Sequence, residues 1–348
     1  MAAEPAHGDH VLAVDVGGTK TALAAVDRCG GVLARATIGT RPEEGADALT
    51  ERILARGRAL TAELDGTLRA VGAVTPGVDY GGRVLLAPNV RGLQRGPLAG
   101  RLRTGFGGVP AGAGNDVRAA ALAEARWGEL AGSPCGIHLN LGTGLAVSVV
   151  VGGRPLEGAH GAAGELGYQL RGPADLAGPP DGPYAPAAEA AQRPGDAGRP
   201  AAGAPSGSGQ LAGAAGESGL PEGEPRAPLE EYVSGRALAE RGSAVLGRAA
   251  STEEVFAAAR LKPELARLVD EALDTLAVHV ANLAVVVDPD RIVACGGMLG
   301  GEGGERILHR VRDVLGRAAP FPVEVRRGRF VHDAPLLGAA LLAWQAAG

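Results

Sequence analysis

The sequence predicts an α/β protein built from two copies of a related unit that face a shared cleft. Residues 11–33 show a strand, a Gly-Thr turn and a second strand, and residues 136–156 repeat that order. The strands in both copies are short, β-branched and apolar, which is typical of buried strands. At 348 residues the chain is long enough for two domains, taking one domain per roughly 150 residues.

The first half of the chain alternates predicted strands and helices. Leucine and isoleucine recur over residues 47–64 with the 3.6-residue period of a helix. Residues 69–74 are a predicted strand that enters the turn signal Thr-Pro-Gly at 75–77. An Ala-rich helix is predicted over 117–127, because the Asn-Asp pair before it suits a helix start. We place the first domain at residues 1–118.

The second half contains a strong helix signal and a low-complexity segment. Apolar residues follow helical spacing over 264–283, and Arg291–Cys295 is a predicted strand that ends at a Gly pair. Residues 171–228 are rich in Gly, Pro and Ala, so we expect a disordered insertion there. The second domain is expected at 119–334, with a C-terminal helix at about 335–348 that packs back on the first domain.

Charge and composition argue against several classes of partner. The net charge is -5 without a basic block, so neither nucleic acid nor an anionic membrane surface is expected as a partner. The first ten residues lack the apolar segment of a signal peptide, and no apolar run approaches the ~20 residues of a spanning helix. Cys29, Cys135 and Cys295 lie far apart, without disulfide-scaffold or metal-ligand spacing. We expect a cytoplasmic protein.

The segment DVGGTK at residues 15–20 is the strongest local signal for chemistry. Gly17 and Gly18 would let backbone N–H groups approach a phosphate, because no Cβ intervenes. Thr19 adds a hydroxyl and Lys20 a positive charge, while Asp15 supplies a carboxylate suited to Mg²⁺ through water. The alternative is an ordinary hairpin turn, since this short pattern also recurs by chance.

The repeated hairpin contains a second loop of the same kind. It consists of Gly142, Thr143 and Gly144, with Asn140 in the place of Asp15. Two such loops in duplicated positions support each other as a shared phosphate site.

Two further segments offer carboxylates. Asp116 follows Asn115 at a predicted helix start, where the helix N-terminus favours an ionised carboxylate. Such a group can act as the general base that activates a hydroxyl for attack on a phosphate, and a simple N-cap is the alternative. Glu165 lies in a Gly-rich loop as a candidate ligand, and a solvated surface glutamate is the alternative.

The ordered set of motifs resembles the ROK family (repressors, open reading frames and sugar kinases), within the hexokinase–actin–heat-shock-protein fold group. The resemblance covers most of the chain outside 171–228. Its segments are DVGGTK (15–20), TPGVD (75–79), APN (87–89), GND (114–116), LGTG (141–144), GAAGELG (161–167), LEEYVSG (229–235) and DPDRIVACGG (288–297). It implies a two-domain actin-like ATPase fold of the ribonuclease H-like type, with duplicated βββαβα units.

The resemblance also implies a role for each matching position. Asp116 matches the catalytic base. The positions matching groups that face the sugar are Gly77, Asn89, Asn115, Asp116, Glu165, Tyr168 and Glu230. The positions matching groups that hold ATP and Mg²⁺ are Asp15, Gly17, Gly18, Thr19, Lys20, Gly142, Thr143, Gly144, Gly296 and Gly297. Among these, Asp15 is implied to hold Mg²⁺, and the last two lie near the adenosine.

The chain departs from the family pattern at the position of a structural zinc site. Tyr168 stands where the family usually has a histidine that touches both the sugar and the zinc. The family's cysteine cluster would precede Leu229, and Pro228 holds its last position. No cysteine lies between Cys135 and Cys295, so a tetrahedral zinc site cannot form and we expect no zinc.

The second phosphate loop departs from the family pattern as well. Ala146 and Ser148 stand where the family commonly has glycine. Their side chains either crowd the nucleotide or pack behind it, and the sequence leaves both alternatives open.

The leading hypothesis is therefore a glucokinase-like enzyme, with Mg-ATP between two domains and Asp116 activating a hexose hydroxyl. The alternative is a non-catalytic sugar-binding or regulatory protein derived from a kinase, which Tyr168 and the missing zinc ligands favour. DNA-binding members of the family carry a winged helix before the first strand, and only about ten residues precede Val11. An actin-like filament protein has only fold-level support. The resemblance further implies a homodimer.

Overall fold

The computed structural model describes residues 8–80, 83–85, 95–176 and 228–348. These residues form two five-stranded mixed sheets and a two-stranded ribbon. The strands of the first sheet are β1 (His10–Val16), β2 (Lys20–Val26), β3 (Val32–Gly39), β4 (Leu68–Thr75) and β7 (Ala111–Asn115). Those of the second are β8 (Cys135–Leu141), β9 (Leu145–Val151), β10 (Arg154–Pro155), β11 (Arg291–Cys295) and β12 (Glu324–Arg327). The ribbon pairs β5 (Val78–Tyr80) with β6 (Arg83–Leu85).

Both sheets have the same topology. The first has the order β3-β2-β1-β4-β7 and the second the order β10-β9-β8-β11-β12. In each, the first three strands form an antiparallel meander, and the last two add parallel to the first strand. Parallel neighbours require crossover connections, which helices provide. The repeated order confirms the duplicated α/β unit predicted from the two hairpins.

Helices cover both faces of the first sheet. Helices α1 (Gly45–Ala62) and α2 (Arg95–Gly105) pack on one face, and α3 (Asp116–Trp127) and α9 (Ala334–Ala347) pack on the other. Alternation along β1 explains the two cores, because Leu12 faces one helical layer and Val11 the other. A central strand buried on both faces is apolar along most of its length.

The second sheet is covered mainly by the long helix α7 (Pro263–Val287) and by α8 (Gly301–Ala318). The shorter helices on this face are α4 (Glu230–Val233), α5 (Gly235–Leu246) and α6 (Thr252–Ala259). Its opposite face packs against α3, where Ala121 joins a small core with Val150. Helix α3 therefore contacts α9 on one side and the second sheet on the other.

The predicted helices and strands occur within a few residues of their expected bounds. Helix α7 continues past the predicted end to Val287, and it ends where Asp288 adopts a left-handed conformation with φ of 52°. Helices α2, α4, α5, α6 and α8 were not predicted. Of the predicted insertion, Pro173–Leu176 forms a short 3-10 helix, while residues 177–227 lie outside the described residues. No helix of the described ranges is long and apolar enough to cross a membrane.

Candidate active site

The first glycine-rich loop is a tight turn between β1 and β2. The Gly17 amide donates to the Lys20 carbonyl at 3.0 Å, which closes the hairpin. The Thr40 hydroxyl donates to the Gly17 carbonyl at 2.6 Å, and the Thr40 amide donates to the Thr19 carbonyl at 2.9 Å. The side chains of Thr19 and Lys20 are exposed. Thr40 thus holds the turn through two hydrogen bonds, and the Thr19 hydroxyl and the Lys20 ammonium group remain at the surface.

Asp15 is a largely buried carboxylate in the strand that enters this loop. Within the described residues its side chain has neither a hydrogen bond nor an ion pair. The pKa of Asp15 is raised to about 7, mainly by burial and in part by repulsion from Asp116 and Asp333. A buried carboxylate beside other carboxylates favours a nearby cation.

Helix α3 begins at the predicted Asn-Asp pair. The Asn115 side chain is the N-cap, and its Oδ1 accepts from the Arg118 amide at 2.9 Å. Its Nδ2 donates to the Gly77 carbonyl at 2.9 Å, so Asn115 joins the helix start to the Thr-Pro-Gly turn. The N-cap is therefore Asn115 and not Asp116, for which the sequence left that role open, and each atom of the Asn115 amide keeps capacity for one more hydrogen bond.

Asp116 is the first residue of α3, and its Oδ1 accepts from the Val117 amide at 2.9 Å. Burial raises the pKa of Asp116, and this effect exceeds the lowering by the Val117 amide, Arg95 and Arg118. The amide at the helix start does lower this pKa, as the sequence predicts, but desolvation outweighs it. A carboxylate with a raised pKa is a better proton acceptor, as a general base requires.

Arg95 is a buried cation that sequence reasoning missed. Its guanidinium donates to the Thr75 hydroxyl at 2.9 Å and to the carbonyls of Thr75, Pro76 and Gly77 at 3.0, 3.0 and 2.6 Å. Only 4% of Arg95 is exposed. It holds the Thr-Pro-Gly turn, and its charge lowers the pKa of both Asp116 and Glu165.

The second glycine-rich loop joins β8 and β9, with Gly142 and Gly144 half-buried and Thr143 exposed. The Gly142 amide donates to the Gly144 carbonyl at 3.0 Å, and the Gly235 amide donates to the Gly142 carbonyl at 2.9 Å. A Cβ on Gly144 would lie 2.7 Å from Oε2 of Glu230, so the close approach requires glycine. Gly296 adopts φ of 101°, beside the backbone of Leu141.

Glu165 and Glu230 approach from this second half. Oε2 of Glu230 accepts from the Leu145 amide at 2.8 Å, and burial raises its pKa. Burial raises the pKa of Glu165 to about 7, and repulsion from Asp116 and Glu230 contributes to that rise. Within the described residues the Glu165 carboxylate has no hydrogen bond or ion pair. Glu165 therefore lies near the base candidate at the start of α3, and Glu230 lies near Glu165.

The remaining predicted positions divide into three groups. Tyr168 is half-buried, and its amide donates to the Glu165 carbonyl at 3.1 Å. Asn89 and the rest of the APN motif lie outside the described residues. Ser148 is completely buried in β9, opposite His138 of β8, so its side chain packs inside the protein and does not crowd the loop surface.

A cavity of about 390 Å³ lies beside the Gly296-Gly297 turn. Its walls include Phe256 and Arg260 of α6, together with Gly297, Met298 and Arg306. The position of a Cβ on Gly142 would be 3.8 Å from the Gly297 amide nitrogen, so the second loop and this turn are neighbours. The second loop therefore adjoins this cavity through Gly297.

The described residues contain no group of three or more His, Cys, Asp or Glu side chains placed to hold a metal ion. The residues at the position of the family's zinc site do not fit zinc. The phenol of the half-buried Tyr168 replaces the imidazole, and Pro228 replaces a thiolate. Mg²⁺ has a different requirement. It binds through one or two carboxylates, waters and substrate phosphates, and the unpartnered Asp15 fits that requirement.

Comparison with known proteins identifies the relatives of this chain. The model of the ROK family matches residues 11–346. The N-acetylmannosamine kinase of Salmonella newport (strain SL254) is 30% identical over 339 residues, which are 95% of this chain and 97% of that protein. The ROK hexokinase of Thermus thermophilus superposes with a TM-score of 0.71 at 28% identity, covering 97% of this chain and 98% of that one. A ROK family glucokinase of Streptomyces griseus, in complex with glucose and AMPPNP, gives a TM-score of 0.68 at 26% identity over 97% and 99% of the two chains. The chain therefore belongs to the ROK family, with the actin-like ATPase fold of its sugar kinases.

Proposed function

We propose that the protein is an ATP-dependent kinase that phosphorylates a hydroxyl of a hexose or an N-acetylhexosamine. The observation that carries this proposal is the convergence of three carboxylates from separate segments. Asp116 at the start of α3 repels both Asp15 of β1 and Glu165 of the second half. Such an arrangement suits a reaction in which a cation and a polyol share one cleft.

Asp116 is the proposed general base. It would accept the proton of the attacking sugar hydroxyl, since a raised pKa makes a carboxylate a stronger proton acceptor. Asn115, Glu165 and Glu230 would bind other sugar hydroxyls, because converging amides and carboxylates recognise polyols and reject analogues that lack a hydroxyl. Gly77, Asn89 and Tyr168 complete the proposed sugar side.

The two hairpin loops are the proposed phosphate site. Backbone amides of Gly18, Thr143 and Gly144, the Thr19 hydroxyl and the Lys20 ammonium group would bind phosphate oxygens. Gly17 and Gly142 would shape the two loops, since their own amides close the turns. Asp15 would hold Mg²⁺ through water, and the bound ion would neutralise charge on the transferred phosphoryl group. The 390 Å³ cavity beside Gly296 and Gly297 would take the nucleoside, with Phe256 in its wall.

The sugar specificity is proposed as a class. The N-acetylmannosamine kinases at 30% identity favour an N-acetylhexosamine, and the glucokinase structure at 26% identity favours glucose. Tyr168 is one observation that favours a second candidate, a sugar-binding regulator without catalysis, because this phenol stands where the resemblance expects a zinc-bound histidine.

Coupled ADP release separates the two candidates. The protein would be assayed with Mg-ATP and a panel containing glucose, mannose, fructose, N-acetylglucosamine and N-acetylmannosamine. Sugar-dependent turnover that falls about 10³-fold in Asp116→Asn, with sugar affinity largely retained, would support the kinase. Sugar binding by calorimetry without turnover in the folded wild type would support the regulator.

A further inference from the structure

The two chain segments that carry Glu165 and Glu230 run side by side. The Leu229 amide donates to the Gly167 carbonyl at 3.1 Å, which joins the segments through their backbones. Glu230 follows directly, and its carboxylate accepts from the Leu145 amide at 2.8 Å. The position of either glutamate therefore depends on how firmly these two segments are held together.

Tyr232 is stacked between two arginines at this junction. The guanidinium carbon of Arg241 lies 4.0 Å from the ring centroid, and that of Arg171 lies 5.2 Å away. Arg241 also donates to the Tyr232 carbonyl at 2.8 Å. Asp175 fixes Arg171, since its carboxylate accepts from the Arg171 amide at 2.7 Å and from its guanidinium at 2.5 Å. We call Arg171, Tyr232 and Arg241 the Tyr232 clamp.

Both segments are also attached to helix α7. His279 of α7 and the Gln169 side chain are hydrogen-bonded at 2.7 Å. Next to the clamp, Leu229 and Val233 are buried in the core that α7 dominates, with 0% and 1% exposure. The clamp thus holds the Arg171 segment against α4. Helix α4 is in turn anchored in the core.

The clamp occupies the part of the chain where the resemblance implies a zinc-bound loop. Tyr168 and Pro228 supply no zinc ligands there, and the sequence has no cysteine from 136 to 294. We infer that the Tyr232 clamp is a metal-free positioning device that holds Glu165 and Glu230 in place for sugar binding. This inference rests on the sugar-binding role proposed above for the two carboxylates.

Cation–π contacts explain how three exposed or half-buried side chains could hold the two segments together. Both arginines contact the Tyr232 ring, so removal of the ring would break both contacts. Tyr232→Phe keeps both ring faces, and Tyr232→Leu removes them while keeping an apolar side chain. Arg28→Gln is a matched control, because Arg28 lies 4.5 Å from the Trp344 ring in a cation–π contact of the C-terminal helix.

Amide hydrogen exchange tests the clamp without reference to catalysis. In Tyr232→Leu we expect the Leu145 and Leu229 amides to exchange roughly tenfold faster, with wild-type exchange in Tyr232→Phe and Arg28→Gln. In kinetics, Tyr232→Leu should raise the sugar KM by roughly five- to tenfold and leave kcat and the ATP KM nearly unchanged. A metal chelator should leave the exchange pattern and the thermal midpoint of the wild type unchanged.

Unchanged exchange at both amides in Tyr232→Leu would overturn the clamp, and so would bound zinc whose removal accelerates the exchange of these amides. Accelerated exchange in a protein that binds no sugar would support the clamp as a structural device and overturn its role in sugar binding. In that case the proposed function fails and the clamp itself does not.

Discussion

The two glycine-rich loops each close a β-hairpin but differ in length, in charge and in surroundings. Four residues separate the paired Val16 and Thr21, and three separate Leu141 and Leu145. Asp15 precedes the first turn, and Asn140 takes the corresponding place before the second, one residue from the end of its strand. Within the described residues the Asp15 carboxylate has no hydrogen bond or ion pair. Of these two strand-end residues, Asp15 alone carries formal charge.

The second loop is in contact with a carboxylate from another segment. Gly144 lies against Glu230, and the Gly235 amide donates to the Gly142 carbonyl. The second loop thus presents backbone amides and at the same time supports a proposed sugar ligand. The first loop therefore contributes a charged strand-end residue, and the second contributes close packing against Glu230.

Substituting Asp15 and Asn140, the two strand-end residues, is the strongest test of this difference between the loops. We expect Asp15→Asn to lower kcat/KM for Mg-ATP by about 10²–10³-fold, the usual cost of removing one preorganised electrostatic group. Asn140→Ala should lose less than about fivefold, since no charge is removed. Steady-state kinetics at varied Mg-ATP would measure both. Equal losses would show that the loops contribute alike.

The stability of the ligand-free protein should depend on pH through the first loop. A carboxyl whose pKa rises from 3.8 to about 7 on folding is protonated in the folded state at pH values where the unfolded chain has released the proton. Stability therefore falls as pH rises from about 4 to about 7.

Asp15→Asn removes the carboxyl group that lowers stability as pH rises. We expect its free energy of unfolding to exceed that of the wild type by on the order of 3 kcal/mol at pH 8, with no difference near pH 4. Denaturant unfolding across this pH range would measure the effect, with Asn140→Ala as the control. A constant difference at all pH values would assign the effect to packing.

The close packing of the second loop can be tested with two glycines of the same turn. Gly144→Ala places a Cβ 2.7 Å from Oε2 of Glu230 and should displace that carboxylate. We expect the sugar KM to rise roughly tenfold or more, because small misplacements of binding groups are costly. Gly142→Ala meets no atom closer than 3.8 Å and should have little effect on sugar KM. Similar values for the two variants would contradict the role of Glu230.

The smallest expected difference between the two halves is in how their buried hydroxyl groups affect stability. In the first sheet the Thr21 and Thr40 hydroxyls pair at 2.9 Å, while Ser148 and both ring nitrogens of His138 lack partners in the second. Thr21→Val should destabilise the protein by about 1 kcal/mol, and Ser148→Ala should stabilise it by a similar amount. Denaturant midpoints would measure both, and a destabilised Ser148→Ala would indicate a buried water that bridges Ser148 and His138.

Local sequence patterns predicted much of the fold. Short apolar, β-branched runs located β1, β2, β8 and β9, and helical spacing located α1 and α7. The Asn-Asp pair before an Ala-rich segment located α3. Helices α2, α4, α5, α6 and α8 were missed. Arg95 was missed as well, because one arginine among 34 basic residues carries no local sign of burial. Its function depends on three carbonyls about twenty residues earlier in the chain.

The sequence by itself determined the duplicated hairpins, the family resemblance and the residue types available for chemistry. These follow from short-range periodicity, glycine positions and motif order. Only the tertiary structure decided which groups became buried and which neighbours they met. The raised pKa of Asp116, the fixed turn over Arg95 and the Tyr232 clamp all depend on desolvation and contacts between distant segments. No local pattern encodes these effects, because they arise from the packing of the whole chain.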